Sequence, residues 1–205
     1  MKNQLFILVI CLLVFAGCKK ENELKKSVFI SDPELADLPA YSEWGYNTFG
    51  AYYEREVFVS NNQQVPAKVV VSNNTMSFIL DGQKGGSGGS DYYNYYYPEM
   101  TMTFKLTDFL PAEYSDLTVF NDTTLDLKNP LYQVAISVDS VQYAVTILSG
   151  ELIFKRAQNL SVDKKSVEVI LSGYFDFKAL INDKPVTISD GRFDVGIGPD
   201  NFYIK

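Results

Sequence analysis

From Trp44 onward the chain alternates apolar and polar residues in short runs of period two, rich in Val, Ile, Phe, Tyr and Thr and cut by Asn, Asp and Gly clusters. That spacing predicts half-buried β-strands, because successive strand side chains point to opposite faces. Thr48 to Tyr53 and Val57 to Val59 form a predicted hairpin turning at Glu54-Arg55; Ala67 to Val71 and Thr75 to Leu80 form another turning at Asn73-Asn74. Further strands are expected at Thr101 to Leu106, Leu131 to Val138, Gln142 to Ile147 and Glu151 to Phe154. The clearest is Val167 to Phe177, with Val167, Val169, Leu171, Phe175 and Phe177 facing one way and Glu168, Ser172, Asp176 and Lys178 the other, so that one face is buried and the other wet. Gly173 in its middle predicts a bend, a bulge or a ring packed over the backbone. Asn182-Asp183 and Asp190-Gly191 read as two more turns, pairing Phe177 to Ile181 with Pro185 to Ile188 and leading to Phe193 to Val195. The expected fold is all-β: an antiparallel meander of about nine or ten strands forming a β-sandwich or a flattened β-barrel. Sustained 3.6-residue periodicity is absent after residue 18, and Pro33 to Leu38 is the best candidate for a short helix.

The N-terminal pattern is different. Lys2 precedes an apolar run from Leu5 to Phe15 that is too short to span a bilayer and ends in Phe15-Ala16-Gly17-Cys18. A basic start, an apolar middle and small residues before a cysteine look like a bacterial lipoprotein signal. That resemblance implies cleavage before Cys18, diacylglycerol on its thiol and an acyl chain on its new amine. More than one chain is what makes such an anchor stable, since each buried methylene contributes about 0.8 kcal/mol and a single chain binds only marginally. The chain then divides into a signal peptide over 1–17, a lipidated tether over 18–43 and a β domain over 44–205. The tether is read from the crowd of Lys19, Lys20, Glu21, Glu23, Lys25 and Lys26, with Val28 to Ile30 as a first strand being the alternative.

Composition narrows the chemistry. The 205 residues include no histidine and two cysteines, of which Cys11 would be discarded and Cys18 acylated, so neither disulfides nor Ser-His-Asp or Cys-His triads are expected. Carboxylate chemistry, a Ser-Lys pair or an oxygen-ligand cation site remain available. The net charge of −7 repels nucleic-acid phosphates, which leaves nucleic acid out as a partner.

Several segments resemble a known family. Ser149-Gly150-Glu151-Leu152-Ile153-Phe154, Leu171 to Phe177 and Val186-Thr187-Ile188-Ser189-Asp190-Gly191-Arg192-Phe193-Asp194 are similar to the strand, "SGxFxF" and "vtItxGxFd" segments of small lipoprotein domains of unknown function common in Bacteroidota. Asn47 to Tyr52 resembles their "ntFgA" opening, although Glu54-Arg55 stands where relatives often carry Asn-Gly. The resemblance supplies no catalytic residue or cofactor, while the charged residues after Cys18, with Lys19 rather than Asp at the second mature position, resemble the signals that send such lipoproteins to the outer membrane, on the periplasmic face or the cell surface.

Candidate chemistry is sparse. Gly82 to Ser90 holds five glycines and precedes Tyr92, Tyr93, Tyr95, Tyr96 and Tyr97, which with Trp44 form a candidate aromatic surface for a glycan or an envelope protein. A hairpin tip whose tyrosines begin the next strand is the plainer reading. Asp190, Asp194 and Asp200 fit no EF-hand spacing and read as turn residues. Glu99, Glu113, Glu151 and Glu168 are the carboxylates a glycosidase would need, without any pairing in sequence. Asp163-Lys164-Lys165 reads as a hairpin loop. The expected function is therefore a lipid-anchored, non-enzymatic binding or structural module whose partners are membrane lipid through Cys18 and a glycan or envelope protein. A carboxylate-dependent glycan hydrolase and a lipocalin-like carrier of a small apolar ligand are the other classes left open.

Overall fold

A computed structural model describes residues 28–60, 66–85, 97–107, 109–162 and 165–205. Cys18 and the leader, residues 19–27, Tyr92, Tyr93, Tyr95, Tyr96 and the Asp163-Lys164 loop lie outside them. Among the described residues the fold is all-β. The strands are β1 Phe29–Ile30, β2 Tyr41–Ser42, β3 Thr48–Tyr53, β4 Glu56–Val59, β5 Ala67–Ser72, β6 Thr75–Lys84, β7 Glu99–Thr107, β8 Thr123–Asp126, β9 Tyr132–Val138, β10 Val141–Tyr143, β11 Val145–Val162, β12 Lys165–Ile181, β13 Lys184–Ile197 and β14 Phe202–Ile204.

One large sheet runs in the order β10-β9-β7-β6-β4-β3-β13-β12-β11-β8, with β5 added beside β6 and β14 beside β5. It curls over itself into a half-barrel, so the meander predicted from sequence holds within each half and the halves join where β3 meets β13. β14 is the exception to antiparallel order: it runs parallel to β5, with Phe202 opposite Val69. Asn201 makes that possible, since its buried amide donates to the carbonyls of Ala67 and Gly196 and its side-chain oxygen accepts from Gly198 N–H.

The inner face is filled by aromatic rings. Phe78 packs against Phe104, Phe154 and Phe193, and Phe104 continues to Phe175 and Phe177, with centroids 5.3 to 6.4 Å apart. A 3-10 helix at Tyr114–Phe120 packs against β11 and β12 and inserts Leu117 and Phe120, whose ring stacks on Phe154 at 4.7 Å. The expected short helix at Pro33 to Leu38 is a single 3-10 turn, Pro33–Leu35, capped by Asp32.

Turn chemistry accounts for most hairpins. Asn73-Asn74 and Asn182-Asp183 both hold positive φ at two successive residues, as type I′ turns require. Glu54 also sits at φ +58°, and the side chain explains why a glutamate tolerates it: its carboxyl accepts from Thr187 N–H while its own N–H donates to Thr187 O at 2.9 Å. Gly173 is required by close approach, because a Cβ there would lie 1.8 Å from Ile153 O and 2.9 Å from the Phe193 ring.

Four expectations need correction. The folded body begins before Trp44: β1 pairs with β2, and Leu38, Tyr41, Ser42 and Glu43 are buried, so the stretch from Val28 to Glu43 is body, not tether. Asp190-Gly191 is not a turn, since β13 runs straight through it. The register against both β3 and β12 shifts there, which makes it a bulge that uses the same left-handed residue and glycine a turn would use. The expected strand Gln142 to Ile147 is broken at Ala144, where N–H and C=O bond across to Asn182 instead of to a ladder partner. Finally, Ser172 on the expected wet face of β12 is fully buried, because the segment from Ser42 to Tyr46 lies over it.

Candidate functional site

Asp194 ties that covering segment to the sheet. It sits on the outer face of β13 at 1% exposure and accepts from Trp44 N–H at 3.2 Å, Gly45 N–H at 2.7 Å, Tyr46 N–H at 3.1 Å, Ser172 Oγ at 3.0 Å and Ser42 Oγ. The successive amides of residues 44–46 converge on a single carboxyl, which satisfies backbone groups that would otherwise be buried without partners. The expectation that Asp194 is a turn residue is therefore corrected. Asn47 continues the attachment by accepting from Gly196 N–H at 2.9 Å.

Further ionisable groups line this junction. The carboxyl of Glu168 occupies the space a side chain at Gly196 would need, with Oε2 2.4 Å from where a Cβ would stand. Desolvation, reinforced by Asp194, pushes the Glu168 carboxyl above its ordinary range. Tyr41 stacks on Tyr174 at 4.4 Å and donates to Glu43 Oε1 at 3.0 Å. Burial and then the Glu43 charge push the Tyr41 phenol far above its ordinary value. The side chains of Ser42, Ser172, Asp194, Tyr41 and Glu43 are bonded to one another or to backbone within the fold, which suits a clasp better than a reactive centre.

A groove of about 470 Å³ opens on the same sheet face, further along β12 and β13. Ser149, Asp176, Lys178, Thr187, Ser189 and Asp190 supply hydrogen-bonding groups around it, and Tyr174 borders it. The bulge at Asp190-Gly191 shapes one wall, with Gly191 so close to Phe175 O that a Cβ would stand 2.2 Å away. A second groove of about 330 Å³ lies at Lys128 to Val134 beside Val145 and Ile147, at the seam where the half-barrel stays open.

The residues singled out from sequence are dispersed. Trp44 is partly exposed beside Asp194, while Tyr97 is half-buried at the β6–β7 end next to Gly85. Glu99 begins β7, Glu113 caps the 3-10 helix, Glu151 lies on β11 and Glu168 on β12. The four do not converge as a glycosidase pair. Glu151 instead stands directly opposite Asp176 on one side and Asp126 on the other, forming a row of like charges across β8, β11 and β12. Asp200 precedes β14, its carbonyl accepting from the Tyr203 hydroxyl at 2.6 Å. Sequence reading missed Ser42, Ser172 and the groove. The one available signal was an Asp in mid-strand, opposite a Ser, on a face that alternation made outward.

Among the described residues no cluster of acids has the geometry of a metal site and no helix is long and apolar enough to cross a membrane. In comparisons with known proteins, no family model, curated protein or solved structure matches this chain.

Proposed function

We propose that this chain is a lipid-anchored cell-envelope protein, held at the outer membrane through acylated Cys18, and that its β body is a non-enzymatic binding module. The observation that carries the binding half is the groove over β11–β13, where hydroxyls, two acids, an ammonium group and Tyr174 surround a hollow of mixed polar and apolar lining. Such a lining suits a polyhydroxylated ligand, meaning a glycan, because orientation comes from several convergent hydrogen bonds. The anchoring half rests on Phe15-Ala16-Gly17-Cys18 behind the apolar run.

The carrier reading fits less well, because the inner face is occupied by stacked rings where a lipocalin would hold its ligand. The hydrolase reading has one observation in its favour, the adjacency of Glu151 and Asp176 beside the groove. Directly opposed strand residues stand side by side on one floor, with Cβ atoms about 5 Å apart, whereas glycoside cleavage needs acids flanking the bond from two sides.

Titration of the protein with soluble envelope glycan fragments, followed by amide chemical shifts, tests the binding proposal. Shifts clustered at Ser149, Asp176 and Ser189, abolished by Asp176→Ala, are expected. Binding untouched by Asp176→Ala but lost when Tyr93, Tyr95 and Tyr97 are replaced by Ala would move the surface to the aromatic segment. Release of shorter glycans that stops with Asp176→Asn would establish the hydrolase instead.

A further inference from the structure

The piece of chain that Asp194 fastens down carries an unusual outer surface. Phe29 and Ile30 form β1, which pairs with β2, and both they and Val28 just before them are exposed, Phe29 by 59%. Val28 bonds to Glu43 through both its N–H and its C=O, so Trp44 and Tyr46 follow immediately beside it, Tyr46 exposed by 58%. The opposite side of this strap is buried through Tyr41, Ser42 and Glu43. An isolated two-stranded pair gains little stability in water, and around this one Val28, Phe29, Ile30, Trp44 and Tyr46 are all exposed, close to where Asp194 and the Tyr41–Tyr174 stack hold the strap to the sheet.

Resting on the anchored reading above, we infer that the strap is a membrane-docking surface: Phe29, Ile30, Trp44 and Tyr46 seat in the interfacial zone of the bilayer that holds Cys18. The connection is short. The ten residues from Cys18 to Ser27 reach at most about 35 Å, which makes contact between strap and bilayer an intramolecular event with a high effective concentration. Tryptophan and tyrosine suit this zone because each has an apolar body and a polar tip. Charge selects the surface. Asp32, Glu34 and Asp37 in the turn between β1 and β2, with Glu21 and Glu23, offset Lys19, Lys20, Lys25 and Lys26, so the stretch next to the bilayer has no net positive charge to draw it to anionic headgroups, and the occupant is a zwitterionic lipid interface. Docking fixes the orientation of the body, holding the strap face down against the membrane rather than leaving the domain free on its leash.

Trp44 is the chain's single tryptophan and reports the contact directly. The test uses the lipidated full chain in vesicles of phosphatidylcholine, with and without bromine on the upper acyl chain. A blue-shifted Trp44 emission that loses most of its intensity with brominated lipid is expected. Phe29→Ser with Ile30→Ser, both surface positions, should abolish the quenching while the protein still floats with the vesicles. Unquenched Trp44 in protein that floats overturns docking and leaves the anchor standing, as does quenching that survives the double substitution. Protein that does not float overturns the anchor, and docking with it.

Discussion

Asp194 sets the cost scale for single residues in this fold. Removing its carboxyl leaves three backbone amides and two hydroxyls at a buried junction without acceptors, and each orphaned donor costs about 1–3 kcal/mol when water cannot replace the partner. Asp194→Ala is therefore expected to lose about 3 kcal/mol or more in denaturant unfolding, and to make the already partly exposed Trp44 more accessible to aqueous quenchers. Asp194→Glu, which keeps the acceptor but not the reach, should lose less. A second residue, Glu168, gives a pH dependence of known sign. Its carboxyl holds a proton to higher pH in the folded state than in the unfolded chain, so the native state binds the excess proton and stability falls as pH rises from the ordinary carboxylate range through the raised value. Glu168→Gln should flatten that decline, read as thermal midpoints between about pH 4 and about pH 7; an unchanged slope would show that Glu168 does not carry it. Neither role was legible from sequence. An Asp on the outward face of a strand reads as solvated until one knows that residues 42–46, almost 150 positions earlier, lie on top of it.

Elements were easier to read where their signals are local. The hairpins at Asn73-Asn74 and Asn182-Asp183 follow from residue types that tolerate positive φ at two adjacent positions. Asp183 is exposed and sits at φ +63°, so Asp183→Gly should stabilise the protein by about 0.5–1 kcal/mol by removing the left-handed penalty. Gly173→Ala should do the opposite. Its Cβ would overlap Ile153 O, so β11 and β12 must separate there, next to a register shift between Phe154 and Arg156, at a cost of about 2–3 kcal/mol and roughly 6–10 °C in Tm. Asp190-Gly191 shows the limit of local reading. A turn and a bulge both favour a residue that tolerates positive φ beside a glycine, and only the long strand pairing on both sides decides between them. Glu54-Arg55 illustrates the reverse case, a correctly placed turn whose odd residue is explained by a contact with Thr187 far along the chain.

At the scale of the whole molecule, alternation of apolar and polar residues was enough to reveal an all-β body, because half-buried strands carry their burial pattern in every second residue. Strand order was not: β12 beside β13 follows from the local turn at Asn182-Asp183, but β3 on the other side of β13 is a pairing between residues about 140 positions apart, which has no signature in spacing. The parallel addition of β14 to β5 and the β1–β2 strap are long-range choices of the same kind. What results is a ring-filled half-barrel with a groove on its outer face and an exposed apolar strap at Val28 to Ile30, and the proposed anchor at Cys18 would bring that strap close to lipid. The mass of the N-terminal peptide of the native protein tests that account most directly. The account predicts a chain that begins at Cys18 and carries diacylglycerol and an amide-linked acyl group; a chain that still begins at Met1, or one that begins at an unmodified Cys18, would contradict it.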